Sequence, residues 1–372
     1  MRITGAILED TGREAPFARS RPLTVQELDL GSPRSSELLV RIETAGICHS
    51  DLSVVDGKRP RPVPMLLGHE AAGIVEEVGD GATLAVGDRV VMTFLPRCGQ
   101  CAGCATDGRL PCERGSAANG AGELLEGGRR LSRDGEHIAH HLGVSAFATH
   151  AVVNEASVVK VDDDVPPDVA ALLGCAVLTG GGAVLNAGRP AAGDTVMVVG
   201  LGGVGMAAVL VAKALGHRVV GVDSVPSKLE QARALGADDV LTPEHVLEDG
   251  VRCPVVIEAA GHARAFETAF AATAPGGRTV TVGLPAPDAL SRISPLTLTS
   301  EARTVVGSYL GSSVPARDIP IYVDLWREGR LPIERLVSRV VPLADINEAM
   351  DALAEGRVLR QLLTLVPPEG TS

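Results

Sequence analysis

Apolar residues occur along this chain in two kinds of run, and the change from one to the other divides it. Up to about residue 160 they form short stretches punctuated by turn residues. Leu38-Leu39-Val40-Arg41-Ile42, Gly73-Ile74-Val75-Glu76-Glu77-Val78-Gly79 and Gly87-Asp88-Arg89-Val90-Val91 are the clearest. Such patterning predicts half-buried strands, and Pro60, Pro62 and Pro64 predict a loop among them. The stretch Gly115–Gly135 is polar, glycine-rich and aperiodic, and is expected to be a long surface loop. Strands resume over 151–161, and Pro166–Leu173 reads as a helix leading to Cys175.

From Thr195 short strand-like runs, the first two free of charged or polar side chains, alternate with helix-forming stretches. Val196–Val199, Val219–Val222, Asp239–Leu241, Pro254–Ala259, Arg278–Val282 and Arg303–Gly307 read as strands; Met206–Leu215, Ser227–Leu235 and Ala263–Thr273 read as helices. Continuous apolar strands are buried on both faces, as in a parallel sheet covered by helices. Six of them suffice for a doubly wound α/β domain. From Asp318 the pattern becomes amphipathic and helical, over Ile319–Glu328 and Leu343–Glu355. The α/β domain therefore lies mid-chain, and the N-terminal strands and C-terminal segment are expected to form one discontinuous domain.

The first strand of that domain carries chemistry. Gly200, Gly202 and Gly205 follow it at G-x-G-x-x-G spacing, a helix opens at once, and the next strand ends on Asp223. The first glycine makes the tight turn, the second lets backbone approach a pyrophosphate, and the third lets helix pack on strand. The helix N-terminus offers unpaired N–H groups and a positive dipole end to the phosphates. An acidic side chain ending the second strand accepts from the adenosine ribose and repels a 2′-phosphate, which points to NAD over NADP.

Composition narrows the partners. The 372 residues are 45 % hydrophobic, so sizeable cores are available although aromatic residues make up only 2 %. A net charge of −12 argues against nucleic acid and anionic membrane surfaces. Met1–Asp10 holds one basic residue and no long apolar run, so no secretory leader is expected. No eighteen-residue apolar span free of polar interruption is found, so no membrane crossing is expected, and the protein is expected to be cytoplasmic.

Seven cysteines in such a chain point to metal or redox chemistry. Cys98, Cys101, Cys104 and Cys112 stand at C-x2-C-x2-C-x7-C spacing. Four thiolates so close can complete a tetrahedron round one metal, and a structural zinc suits them better than an iron–sulfur cluster, whose bacterial run has a shorter last interval and a following proline. Cys48, His69, Cys175 and Cys253 are scattered, and spacing alone does not group them.

Taken in order, the pieces GICHSD, GHEAAGIVEEVG, GDRV, the four-cysteine cluster, LLGCAVLTG, GLGGVG and GVD resemble the zinc-dependent alcohol dehydrogenases of the medium-chain dehydrogenase/reductase family over nearly the whole chain. The resemblance implies a mainly β, GroES-like catalytic domain over 1–176 and 319–372, with a structural zinc lobe at about 95–113, and a Rossmann domain over 177–318. It implies a catalytic zinc on Cys48, His69 and Cys175, so two zinc ions per chain, with Cys253 a core thiol. Glu70 matches a carboxylate close behind that metal, Asp51 the residue orienting the histidine, and Ser50 the hydroxyl that starts a proton relay outward through the cofactor ribose. Cofactor positions match His49, Thr179, Gly200, Gly202, Gly203, Val204, Gly205, Asp223, Lys228 and Arg360, the last on the pyrophosphate. Phe94, His141, Leu142 and Tyr309 match the substrate pocket, a mainly apolar cleft with two polar tips.

Two positions depart from the liver-type pattern. Ser53 stands where those enzymes end the relay with a histidine, and His49 where they place an arginine on the pyrophosphate. Proton exit is then expected to use water more, and cofactor release to respond to pH. The implied function is NAD-linked, zinc-dependent interconversion of a primary aliphatic or aromatic alcohol and its aldehyde. A dehydrogenase of a thiol–formaldehyde adduct is the alternative, with Arg114, Arg129 and Arg130 as cation sources; a non-catalytic NAD-binding protein is a third reading. The resemblance favours a homodimer; the strand Arg303–Gly307, expected to end the sheet with unpaired backbone groups, is the expected joint, with a tetramer or a strand-capped monomer as the other arrangements.

Overall fold

The computed structural model describes residues 1–365. Contacts divide it into two compact units. One comprises Met1–Thr106, Pro111–Cys175 and the C-terminal segment from Val337; the other comprises Asp107–Leu110 and Ala176–Leu336.

The first unit is built from mainly antiparallel strands. Arg2–Leu8, Leu23–Leu30, Leu131–Arg133, Glu136–His140 and Met65–Leu66 form a closed barrel, and a seven-stranded sheet is organised on Glu37–Ile47. That strand pairs with Ala71–Val78, His150–Asn154 and Arg360–Thr364. Its alternation decides the packing, because neighbouring residues on a strand face opposite ways. Leu38, Val40, Ile42, Ala45 and Ile47 join one buried cluster, while Leu39 joins another with Ile7, Leu28, Leu131, Ile138 and Val152. The strand then delivers Cys48 directly to the helix His49–Val55.

The Gly115–Gly135 stretch is not a surface loop. Glu113–Ala121 is a helix, closed by Gly122 in the left-handed region, and Leu131–Arg133 is a barrel strand. Leu124, Leu125 and Leu131 are buried. The helix starts where Cys112 Sγ accepts the Gly115 N–H, a sulfur cap that hydrophobic periodicity does not reveal.

The second unit is the doubly wound parallel sheet. Its order is Asp239–Leu241, Arg218–Val222, Thr195–Val199, Cys253–Glu258, Thr273–Thr281, Thr304–Gly307, every pair parallel. The strand order reverses beside Thr195–Val199, and ligands of such sheets bind beyond the strand C-termini at that point. Nine residues of the helix Gly203–Ala214 are buried. Residues 319–336, which the amphipathic pattern assigns to the outer domain, belong to this unit. Tyr322 lies against Gly181, the Arg330 guanidinium donates to Ala214 O at 2.6 Å, and Arg335 donates to Ala234 O.

Against the hydropathy reading, one helical run, Pro167–Gly188, reaches the length and apolar composition of a membrane span. Because 89 % of its apolar window is buried inside the protein, it is a core helix.

Candidate active site and metal centres

In the first unit the four clustered cysteines converge. Their sulfurs all lie within 4.8 Å of one another, with Cys98 and Cys104 at 4.0 Å and Cys101 and Cys112 at 3.9 Å. Zinc–thiolate bonds of about 2.3 Å in a tetrahedron place sulfurs about 3.8 Å apart, so the donor set fits that ion. Backbone N–H groups of Cys104 and Glu113 donate to Cys101 Sγ, each at 3.4 Å, and hold that thiol down to about 6. Burial pushes Cys104 up to about 12. Several thiolates so close repel unless a cation joins them.

A second convergence lies at the end of Glu37–Ile47. Cys48, His69, Glu70 and Cys175, all buried, bring one ligand atom each within 4.8 Å. Separate pieces of chain supply the site. Cys48 caps the helix His49–Val55; His69 and Glu70 sit in the turn between Met65–Leu66 and Ala71–Val78; Cys175 lies within Pro167–Gly188. The last is a helical run whose middle, Leu173–Val177, takes π-type turns, a local irregularity frequent at functional sites.

One carboxylate orients two of these groups. Asp51 Oδ2 accepts the Cys48 backbone N–H at 3.0 Å, and its Oδ1 accepts from His69 Nδ1 at 2.9 Å. That bond fixes the imidazole tautomer, leaving Nε2 as the lone-pair nitrogen. His69 Nε2 is buried and has no hydrogen-bond partner. An orphaned imidazole nitrogen beside two thiols is the donor set zinc takes. The thiols already differ. A hydrogen bond from Cys175 holds Cys48 well below the usual thiol range, and the same bond pushes Cys175 well above it.

Behind them, Glu70 Oε1 accepts from Arg360 Nη1 at 2.7 Å, while Glu70 Oε2 and Arg360 Nε and Nη2 have no partner. Burial pushes the Glu70 carboxyl up to about 7 against the pull of Arg360. The guanidinium expected on a pyrophosphate thus stands, in this structure, beside Glu70 with two nitrogens uncommitted.

In the second unit Asp223 ends its strand as expected and spans the turn. Its Oδ2 accepts the Leu201 N–H at 2.8 Å, its Oδ1 accepts the Val225 N–H at 3.0 Å, and Lys228 Nζ lies 3.7 Å away. Gly202 caps the helix Gly203–Ala214, and Val204 is half-buried in its first turn. Close packing explains the third glycine, since a Cβ on Gly205 would sit 1.9 Å from Gly200 O. Thr179 is buried one residue before Gly180, where a Cβ would lie 2.3 Å from Val204 O.

Ser50 is half-buried on the helix that Cys48 caps, His49 is exposed, and Ser53 Oγ donates to His49 O at 2.8 Å. The Phe94 ring meets the His69 ring edge-on at 5.6 Å. Leu142 is buried in the left-handed region, and Tyr309, in the second unit, is 37 % exposed. His141 is only 1 % exposed and lies against Asp51. Cys253 is a buried thiol of the sheet core, pushed up to about 11 by burial. The three arginines expected to serve a thiol adduct are engaged elsewhere. Arg130 is buried on Glu37, Arg114 pairs with Glu126, and Arg129 donates to the carbonyls of Ala121 and Gly122. Sequence reading missed Asn119, whose amide donates to Phe94 O at 2.7 Å from the unrecognised helix Glu113–Ala121.

Comparison with known proteins agrees with this geometry. Residues 34–163 match the family model "Alcohol dehydrogenase GroES-like domain", and residues 203–327 match "Zinc-binding dehydrogenase". Alcohol dehydrogenase 2 of Solanum lycopersicum is 35 % identical over 361 residues, covering 93 % of this chain and 94 % of that protein. An alcohol dehydrogenase zinc-binding domain protein from Burkholderia ambifaria superposes with a TM-score of 0.91 at 33 % identity, over 99 % of this chain and all of that one. Benzyl alcohol dehydrogenase from Acinetobacter calcoaceticus gives 0.89 at 31 % identity, over 98 % and 100 %.

Proposed function

This chain belongs to the zinc-dependent alcohol dehydrogenase family of medium-chain dehydrogenases/reductases, and from that premise we propose that it interconverts a primary alcohol and its aldehyde with NAD as the hydride carrier. The observation that carries the reading is the orphaned His69 Nε2 beside Cys48 and Cys175, with Glu70 alongside paired to Arg360; two thiols and an imidazole are a donor set with which catalytic zinc keeps a fourth position open. Cys48, His69 and Cys175 would hold zinc, which would supply Lewis acidity to lower an alcohol's pKa, and NAD would supply the hydride acceptor.

The chain's own residues do the rest. Asp51 keeps the imidazole in one tautomer and fixes the helix start that carries Cys48. Ser50, on that helix, takes the alcohol proton outward, and Ser53 passes it to water. From behind, the buried Arg360 guanidinium favours the thiolates, and Glu70 is paired to it. Phe94, held by Asn119, and Leu142 shape the apolar side of the substrate site.

Four further assignments belong to the proposal. The four-cysteine cluster holds a second, structural zinc. Asp223, already poised by two backbone N–H groups, takes the ribose hydroxyls and disfavours NADP. The cysteine lobe with its following segment favours the liver-type branch. The chain forms a homodimer through Thr304–Gly307, which among the described residues pairs only with Thr273–Thr281.

An aromatic alcohol is the favoured substrate, supported by Phe94 at the metal site and by the likeness to the Acinetobacter benzyl alcohol dehydrogenase. Initial rates of NAD reduction with benzyl alcohol, ethanol, and formaldehyde plus a small thiol test this. Highest kcat/KM with benzyl alcohol is expected. A thiol-dependent rate above both alcohols would overturn it, and no turnover with any would favour a binding protein.

A further inference from the structure

His141 and His69 are brought together by strand pairing. Met65–Leu66 runs parallel to Glu136–His140, with Leu66 opposite His140. Both chains leave the barrel at the same end, reaching His141 in one residue and His69 in three. A tight turn then fixes His141: its N–H donates to the buried Ser145 Oγ at 2.8 Å, and its carbonyl accepts from Val144 and Ser145. The ring stands edge-on to His69, centroids 5.6 Å apart at 85°. Its Nδ1 lies 3.3 Å from Asp51 Oδ1, the oxygen that serves His69, a close polar contact outside hydrogen-bond geometry, and it makes no hydrogen bond elsewhere.

We propose that His141 is a positioning residue: it braces the Asp51 carboxylate from a separate element, and so holds His69 and the Cys48 helix start in ligating geometry. The reason is one of degrees of freedom. A carboxylate held only by the Cys48 N–H and by the imidazole it is meant to orient can rotate with that imidazole. A third group, anchored by its own turn on a separate strand, removes that freedom. His141 reaches Asp51 from an element that supplies no ligand, so it adds an independent reference point. The ring is 1 % exposed, so its contact with Asp51 is shielded from water.

The inference rests on Cys48, His69 and Cys175 holding zinc. Groups that orient metal ligands this way change metal affinity ten- to a hundredfold when removed. The test is zinc release to a chromophoric chelator, together with the visible spectrum of the cobalt(II)-substituted protein, for wild type, His141→Phe and His141→Asn. The phenylalanine keeps ring volume without a nitrogen, while the asparagine amide stands close to the Nδ1 position. The more weakly held zinc of His141→Phe should leave at least tenfold faster and its cobalt bands should broaden or shift; His141→Asn should restore both to within about threefold. The zinc retained by the four-cysteine cluster reports that the chain is folded. If His141→Phe does not accumulate, the same comparison is made between His141→Asn and His141→Ala.

Unchanged zinc release in the phenylalanine variant, with only KM for the alcohol altered, would return His141 to the substrate cleft and overturn the proposal. Three tightly held metal ions per wild-type chain would overturn it too, by making Asp51, His69 and His141 a metal site. Only one zinc per wild-type chain would instead refute the catalytic-metal reading on which it depends.

Discussion

His140, the neighbour of His141, should make the first unit acid-sensitive by a calculable amount. Its Nε2 accepts the Arg130 N–H at 3.0 Å, and Nδ1 is buried without a partner. Burial, with the charges of Arg130 and Arg129 facing it, takes its pKa from 6.5 to about 3. The native ring therefore stays neutral while the unfolded one protonates below 6.5. The unfolded state binds more protons there, so stability is full above about 6.5 and falls as pH drops toward 3. Integrated between pH 7 and pH 5, the difference is about 2 kcal/mol. The replacement His140→Gln keeps an acceptor for the Arg130 N–H but does not titrate. Equilibrium urea unfolding at both pH values reads the change. The glutamine variant should lose about 2 kcal/mol less than wild type between pH 7 and 5, whatever its stability at pH 7. Equal losses in the two proteins would show that His140 is not held neutral, and the account of its burial would be refuted.

Metal analysis should give two zinc per chain. Cys101→Ser should lower the melting temperature, since structural thiolate sites bind with on the order of 10–16 kcal/mol, whereas Cys175→Ser should lose turnover and one zinc with less loss of fold. Asp223→Ala should lose roughly ten- to a hundredfold in NAD efficiency, about 1.5–3 kcal/mol, while gaining relative use of NADP; equal wild-type efficiency with both cofactors would exclude the role given to Asp223. Gly205→Ala, with its Cβ driven into Gly200 O, should raise the NAD dissociation constant at least roughly tenfold and leave zinc content unchanged, which isothermal titration and metal analysis would report. Light scattering at micromolar concentration should return the mass of two chains, one chain rejecting the pairing of Thr304–Gly307 edges.

The second unit was legible in the sequence because its physics is local. Strands such as Thr195–Val199 are buried on both faces, so their burial is written as unbroken apolar runs, and the glycines and Asp223 fall at offsets set by one strand–turn–helix unit. The first unit was less so. Its barrel closes with Met65–Leu66 and Leu131–Arg133, strands of two and three residues, too short to show a period. The helix Glu113–Ala121 hid for a different reason: it buries few side chains and is capped by Cys112, a residue whose motif advertises metal rather than secondary structure. The share of residues 319–336 in the second unit depends on Tyr322, Arg330 and Arg335 meeting partners about a hundred or more positions away, which an amphipathic pattern does not specify.

The candidate site divides along the same line. Its metal donors are chemically uncommon residues whose types alone suggest a role, and the resemblance grouped them. The groups that hold those donors are ordinary residues joined only by topology, and His140 and His141 make the point together. They are consecutive, and residues at the end of a strand point to opposite faces. One turns to Arg130, which is ion-paired to Glu37 at 2.8 Å inside the unit; the other turns to Asp51. Nothing in the pair of letters says which histidine faces the site. The register between Met65–Leu66 and Glu136–His140 decides it, and a slip of one residue would exchange the two. The barrel therefore acts on the chemistry as well as on the fold, because the register it fixes selects which imidazole supports the metal ligands and which is kept neutral in the core.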